Sequence, residues 1–152
     1  MIVRIALRQH RGGFIGVTAL GAFTGIAVAL GFSSIITGSP AERAMLAAQM
    51  ELVGRQLSFM LPIPAQLDTM GGFLQWRHFG NLPAVYGAWA LLAATGAARG
   101  DEDRGLVEQW LAAGLSRPAY VLGRTVAFAI AAAASIALVL AATALGAALA
   151  EE

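Results

Sequence analysis

The chain has 152 residues, of which 58% are hydrophobic and 12% charged, with a net charge of +1. A water-soluble domain carries about 25% charged residues, and half that share cannot cover a water-facing surface. The mean hydropathy of +0.69 agrees, so the solvent expected for this chain is largely lipid. The near-neutral balance excludes a general basic field for nucleic acid. The absence of cysteine excludes disulfides, thiolate catalysis and cysteine metal sites.

The first expected span covers residues 14–37 and contains no charged residue. At about 1.5 Å per residue it reaches roughly 36 Å, enough for a hydrocarbon core of about 30 Å. Arg4, Arg8 and Arg11 precede it. The apolar run exceeds the roughly 7–15 residues of a signal peptide, so a retained helix is expected.

An external segment, residues 38–81, follows. Ser39, Pro40 and Glu42 have the form of a helix start, with Ser39 capping and Glu42 closing a capping box. Leu46, Met50, Val53, Leu57 and Met60 then recur at helical spacing, and Pro62 and Pro64 end the run. This amphipathic helix is read as packing on other helices in preference to lying in the membrane interface, because its polar face mixes charge signs. Asp68 or Thr69 is placed to cap a further short helix through Trp76, Arg77 and His78, and Gly80-Asn81-Leu82-Pro83 breaks or kinks the chain.

The second span covers residues 82–98, with a start as early as Gly71 and a kink at Pro83. A cytoplasmic loop, 99–118, separates it from the third span, 119–150. The third span is rich in alanine. Its insertion rests on nine larger apolar residues, from Val126 to Leu149, worth about −3 to −5 kcal/mol together. Arg124 near its start is expected to snorkel to the interface. Gly21 and Gly25 form G-x-x-x-G, and Ala133, Ala137 and Ala141 repeat every fourth position. Small faces of this kind let helix backbones approach closely.

Dense arginine clusters at the start and between Arg99 and Arg124 are both cytoplasmic if the chain crosses three times from a cytoplasmic N-terminus. The expected fold is therefore an all-α, polytopic helical membrane protein. It has three transmembrane helices, the extracytoplasmic amphipathic helix and a short cytoplasmic one, in a single membrane domain over 1–152.

The loop 99–118 is the most informative stretch. Asp101, Glu102 and Asp103 suit the positive end of a short helix. Leu106, Val107, Trp110 and Leu111 share a face, Gly114 suits the helix end, and Ser116 and Pro118 suit the start of the third span. A short amphipathic helix joined by a tight corner to a membrane helix can pass a push into that helix. The adjacent carboxylates do not make a metal site, since they point different ways and lack a calcium-loop pattern.

In its order, Glu102-Asp103-Arg104-Gly105-Leu106-Val107-Glu108, then Leu111, then Leu115-Ser116-Arg117 and Gly123-Arg124, this stretch resembles the cytoplasmic element of type-2 ABC transporter permeases. Residues Ala6 to Gly13 are similar to the basic pre-span helix of the polyketide-antibiotic-exporter-like branch. The resemblance implies an exporter permease in the bacterial cytoplasmic (inner) membrane whose short helix docks on a separate ATPase subunit. The implied docking residues are Glu102, Asp103, Arg104, Leu106, Glu108, Trp110, Leu111 and Arg117. Family halves usually have six spans. Three spans resemble the N-terminal part of such a half, and further permease spans or a second half are implied as partners.

No histidine metalloprotease motif, nucleophile elbow or phosphate-binding loop occurs, and the chain has no lysine to bind a phosphate. No catalytic, cofactor or metal residue is therefore expected, and ATP hydrolysis falls to another chain. His10 and His78 are expected on opposite sides of the membrane. Apart from Arg124 near the start of the third, the spans offer hydroxyl groups and no charged ones, which suits an apolar or amphipathic cargo better than an ion. The competing function is a small, non-transporting membrane assembly or anchoring subunit.

Overall fold

A computed structural model describes residues 2–35, 38–59 and 65–150. Among these the chain is helical throughout and has no strand. Helix α1 (Ile2–Gln9) is followed after His10 by α2 (Arg11–Ile35), and α3 (Pro40–Gln56) lies beyond Ser39. Helix α4 (Met70–Leu74) continues into a π-helical turn, Gln75–Phe79. After Gly80 and Asn81, α5 (Leu82–Thr95) continues into a second π-helical turn, Gly96–Gly100. Then come α6 (Asp101–Asp103), α7 (Leu106–Ala112) and α8 (Arg117–Ala150).

Among the described residues two helices, α2 and α8, are long and apolar enough to cross a membrane. Their most apolar stretches are only 17% and 22% buried by the rest of the chain. The core helix of a soluble protein would be mostly covered, whereas here Phe23, Leu122 and Leu145 are all more than half exposed. The all-helical class and membrane-compatible helices expected from composition are therefore present. Helix α5 has 14 residues, roughly 21 Å of rise, and is short of the hydrocarbon thickness by itself. The break expected at Gly80-Asn81 is a turn that separates α5 from the helical stretch beginning at Met70.

Local signals hold at several helix starts. Ser39 and Glu42 form the capping box: the Ser39 N–H donates to Glu42 Oε2 at 2.7 Å, and Ser39 Oγ accepts from the Glu42 N–H at 3.4 Å. The bond from the Ser39 N–H, with a further contribution from the Ser39 hydroxyl, lowers the pKa of the Glu42 carboxyl from its ordinary value. Thr69, not Asp68, caps α4, accepting from the Gly72 N–H at 3.1 Å. The apolar stripe of α3 is rotated from expectation. Leu46 and Met50 are half-buried and Gly54 is buried, while Val53 and Leu57 are exposed. Met60, Pro62, Pro64 and the end of the first expected span lie outside the described residues.

The chain forms two compact units, Met1–Thr18 with Val85–Ala137 and Ala19–Ala84 with Leu138–Glu152. In the first, Thr18 donates to Ser135 Oγ at 2.7 Å and Tyr86 meets the same oxygen at 2.7 Å, which joins α2, α5 and α8 around a fully buried serine. Trp89 packs edge-on against Phe128, with ring centres 4.9 Å apart.

In the second unit, Gly21, Gly25 and Ala29 form the buried face of α2. A Cβ at Gly21 would lie 2.7 Å from a Val139 methyl, and one at Gly25 would collide with Thr143. The G-x-x-x-G pattern is thus an intrachain helix contact. Ala133, Ala137 and Ala141, a face that further spans of this or another chain could cover, are exposed. The face of α8 that the chain covers runs through Ala127, Ala131, Ser135, Val139, Thr143 and Gly146.

Candidate functional site

The short helix and its corner belong to the first unit. Asp101, Glu102 and Asp103 form their own helical turn, α6, rather than the start of α7. Between the two, Gly105 adopts φ +66°, a left-handed conformation that a side chain disfavours. Helix α7 ends in a Schellman arrangement: the Leu115 N–H donates to Trp110 O at 3.1 Å and the Gly114 N–H to Leu111 O at 3.0 Å, with Gly114 at φ +87°. Ser116 Oγ then accepts from the Ala119 N–H at 3.4 Å, so the expected cap opens α8.

Of the residues expected to dock, Glu102, Asp103, Arg104, Glu108 and Arg117 are exposed, while Leu106, Trp110 and Leu111 are half-buried, as is Val107. Charged groups therefore point outward and the apolar side of α7 turns partly inward.

The group that fixes this element is one of the three adjacent carboxylates, expected at a helix start and not as the partner of an arginine. Asp101 is 4% exposed. Its Oδ2 pairs with Arg124 Nη2 at 2.7 Å and accepts from the Tyr120 hydroxyl at 2.5 Å. Arg124 does not snorkel to open interface. Its side chain is 10% exposed because it has a buried carboxylate to meet. Tyr120 and Arg124 are one helical turn apart on α8, so a single face of that helix supplies both partners.

His10, 8% exposed, stands edge-on to Phe128 with ring centres 5.7 Å apart. Two small cavities, of about 200 and 180 Å³, each border both His10 and Arg124. Burial, then the positive charge of Arg124, pushes the His10 pKa below its ordinary value, against a smaller opposing pull from Asp101. A readable signal did exist: an arginine on the second turn of a long apolar helix requires a partner.

The second unit holds a neutral polar cluster. His78 is 3% exposed, and its ring nitrogens meet Thr143 Oγ1 at 3.3 Å and Thr24 Oγ1 at 3.4 Å. Hydroxyls of α2 and α8 enclose it, where Gly25 leaves room for the ring. His10 and His78 share no partner.

No family of known proteins, curated protein or solved structure matches this chain.

Proposed function

We propose that the chain is a membrane-spanning part of an ATP-driven ABC exporter permease of the bacterial cytoplasmic membrane. It crosses three times from a cytoplasmic N-terminus, with α5 and its flanking π-helical turns as the middle crossing. A separate subunit binds and hydrolyses ATP, and its docking surface is Glu102, Asp103, Arg104, Leu106, Glu108, Trp110, Leu111 and Arg117. Further spans or a second permease half complete the path, and the cargo is apolar or amphipathic.

One observation carries this reading: the buried Asp101–Arg124 pair ties the turn that leads into α7 to the long apolar helix α8. A short helix held in this way transmits a displacement, because moving it without α8 would separate a desolvated ion pair at a cost of several kcal/mol. The outward charges supply orientation and association rate, and Trp110 supplies an aromatic anchor.

The test is a pull-down of a co-expressed ABC-type ATPase subunit with this chain as bait. Trp110→Ala should weaken recovery by roughly 30-fold, as expected for an aromatic hot spot. Glu108→Arg should weaken it through repulsion or a lost partner. Full recovery with both variants would overturn docking through α7 and leave a non-transporting membrane subunit.

A further inference from the structure

The N-terminal stretch carries a second surface, apart from the proposed ATPase-docking face. Arg4, Leu7, Arg8, Arg11 and Phe14 fall at helical spacing along one side. The side stays in register through the junction of α1 and α2, because the His10 N–H donates to Ala6 O at 3.1 Å and the Phe14 N–H to His10 O at 2.8 Å. The other side of α1 is fixed: Ala6 is 1% exposed, and Ile2 sits where a Cβ on Gly123 would be 2.5 Å away.

Between the arginine-bearing side and α8 runs an open groove of about 430 Å³, with Ile130, Ala131 and Ala134 as its far wall. Alanines keep it open where larger side chains would close it. Arg4, Arg8 and Arg11 are exposed, no acidic residue lines the groove, and no ion pair among the described residues involves these arginines.

A planar guanidinium matches phosphate oxygens in a two-pronged bond, and its hydrocarbon stem lies along apolar surface. A row of three arginines over an apolar trough therefore fits a molecule with an anionic head and a hydrocarbon tail. We propose that this groove holds one anionic phospholipid. Its phosphate is bound by the arginines, and one acyl chain lies between Leu7, Phe14, Ile130 and Ala134. Soluble phosphates satisfy only the head of such a site, and zwitterionic lipids bring a cation back beside the arginines. The assignment is independent of whether the chain docks an ATPase.

The experiment is native mass spectrometry of the full chain, purified in detergent and titrated with phosphatidylglycerol or with phosphatidylcholine of the same acyl chains. Phosphatidylglycerol should be retained preferentially. Arg4→Gln, Arg8→Gln and Arg11→Gln should each weaken retention by about fivefold, the effect of one basic residue at a lipid surface. Ala134→Phe should weaken it with all charges intact, and glycerol phosphate should not compete at matched concentration. All four positions are exposed, so helical circular dichroism should be unchanged. Equal retention of the two lipids, full retention by Ala134→Phe, or displacement by glycerol phosphate would each overturn the assignment.

Discussion

Beside its neutral Ser135 cluster the first unit buries an ion pair, whereas the cluster at His78 in the second is neutral. In the first, Asp101 and Arg124 are full charges of opposite sign, brought together from positions 23 apart in sequence, with the Tyr120 hydroxyl on the same carboxylate oxygen. In the second, His78 is held by threonine hydroxyls in a cleft made by glycine. The charged cluster depends on each partner, because loss of one strands the other in a poorly solvated place. The neutral cluster depends mainly on shape, because a threonine hydroxyl in a helix still has a carbonyl one turn back, as Thr143 has Val139 O at 2.8 Å. The first arrangement suits a joint that must transmit force, and the second suits a seam between helices.

The contrast can be broken most sharply at Asp101. Asp101→Ala should destabilise the purified protein by about 3–5 kcal/mol in denaturant titration, since it leaves Arg124 buried without a counter-charge. Adding Arg124→Met should restore much of the loss. No recovery in the double variant would show that the pair is not the source of the effect.

Next in size is the seam. Gly25→Val places carbon where Thr143 and His78 already sit, and should cost about 1–3 kcal/mol by overpacking. Thr143→Val should cost less, about 0.6 kcal/mol, the usual scale of an interhelical polar contact in a membrane protein. If Thr143→Val proved as damaging as Asp101→Ala, the neutral cluster would be more than a matter of fit.

The smallest effect is a slope. Burial holds His10 below its ordinary pKa of 6.5, so the unfolded chain binds a proton more readily than the folded one as pH falls through that value. Stability should be level above about pH 6.5 and decline on acidification, and His10→Gln should flatten the decline. A stability that rose on acidification would reverse the sign of the His10 environment.

Much of the fold was legible from local chemistry. A charge-free apolar run marked α2, an alanine-rich run with one arginine near its start marked α8, Ser39 with Glu42 marked the start of α3, Gly114 marked the end of α7, and Ser116 with Pro118 marked the corner. Each signal spans a few residues and needs no tertiary knowledge. The features that escaped depend on which distant residue lies opposite. The spacing of Ala133, Ala137 and Ala141 is as regular as that of Ala127 and Ala131, and an alanine-rich helix has small faces all round. Only the neighbours decide which face is covered. For the same reason Arg124 was read as a lone cation reaching for water, although Asp101 stood at the head of the very stretch judged most informative.

The length of α8 has a mechanical consequence. Thirty-four residues rise roughly 51 Å, against a hydrocarbon layer of about 30 Å. A lean of about 20° recovers only a few ångströms, so in a bilayer the rod overhangs by several turns. Arg117, exposed at its beginning, makes that the end that favours water. In the proposed topology the corner at Ser116 then stands clear of the lipid headgroups as if on a mast, where the proposed soluble subunit could grip it without scraping the membrane.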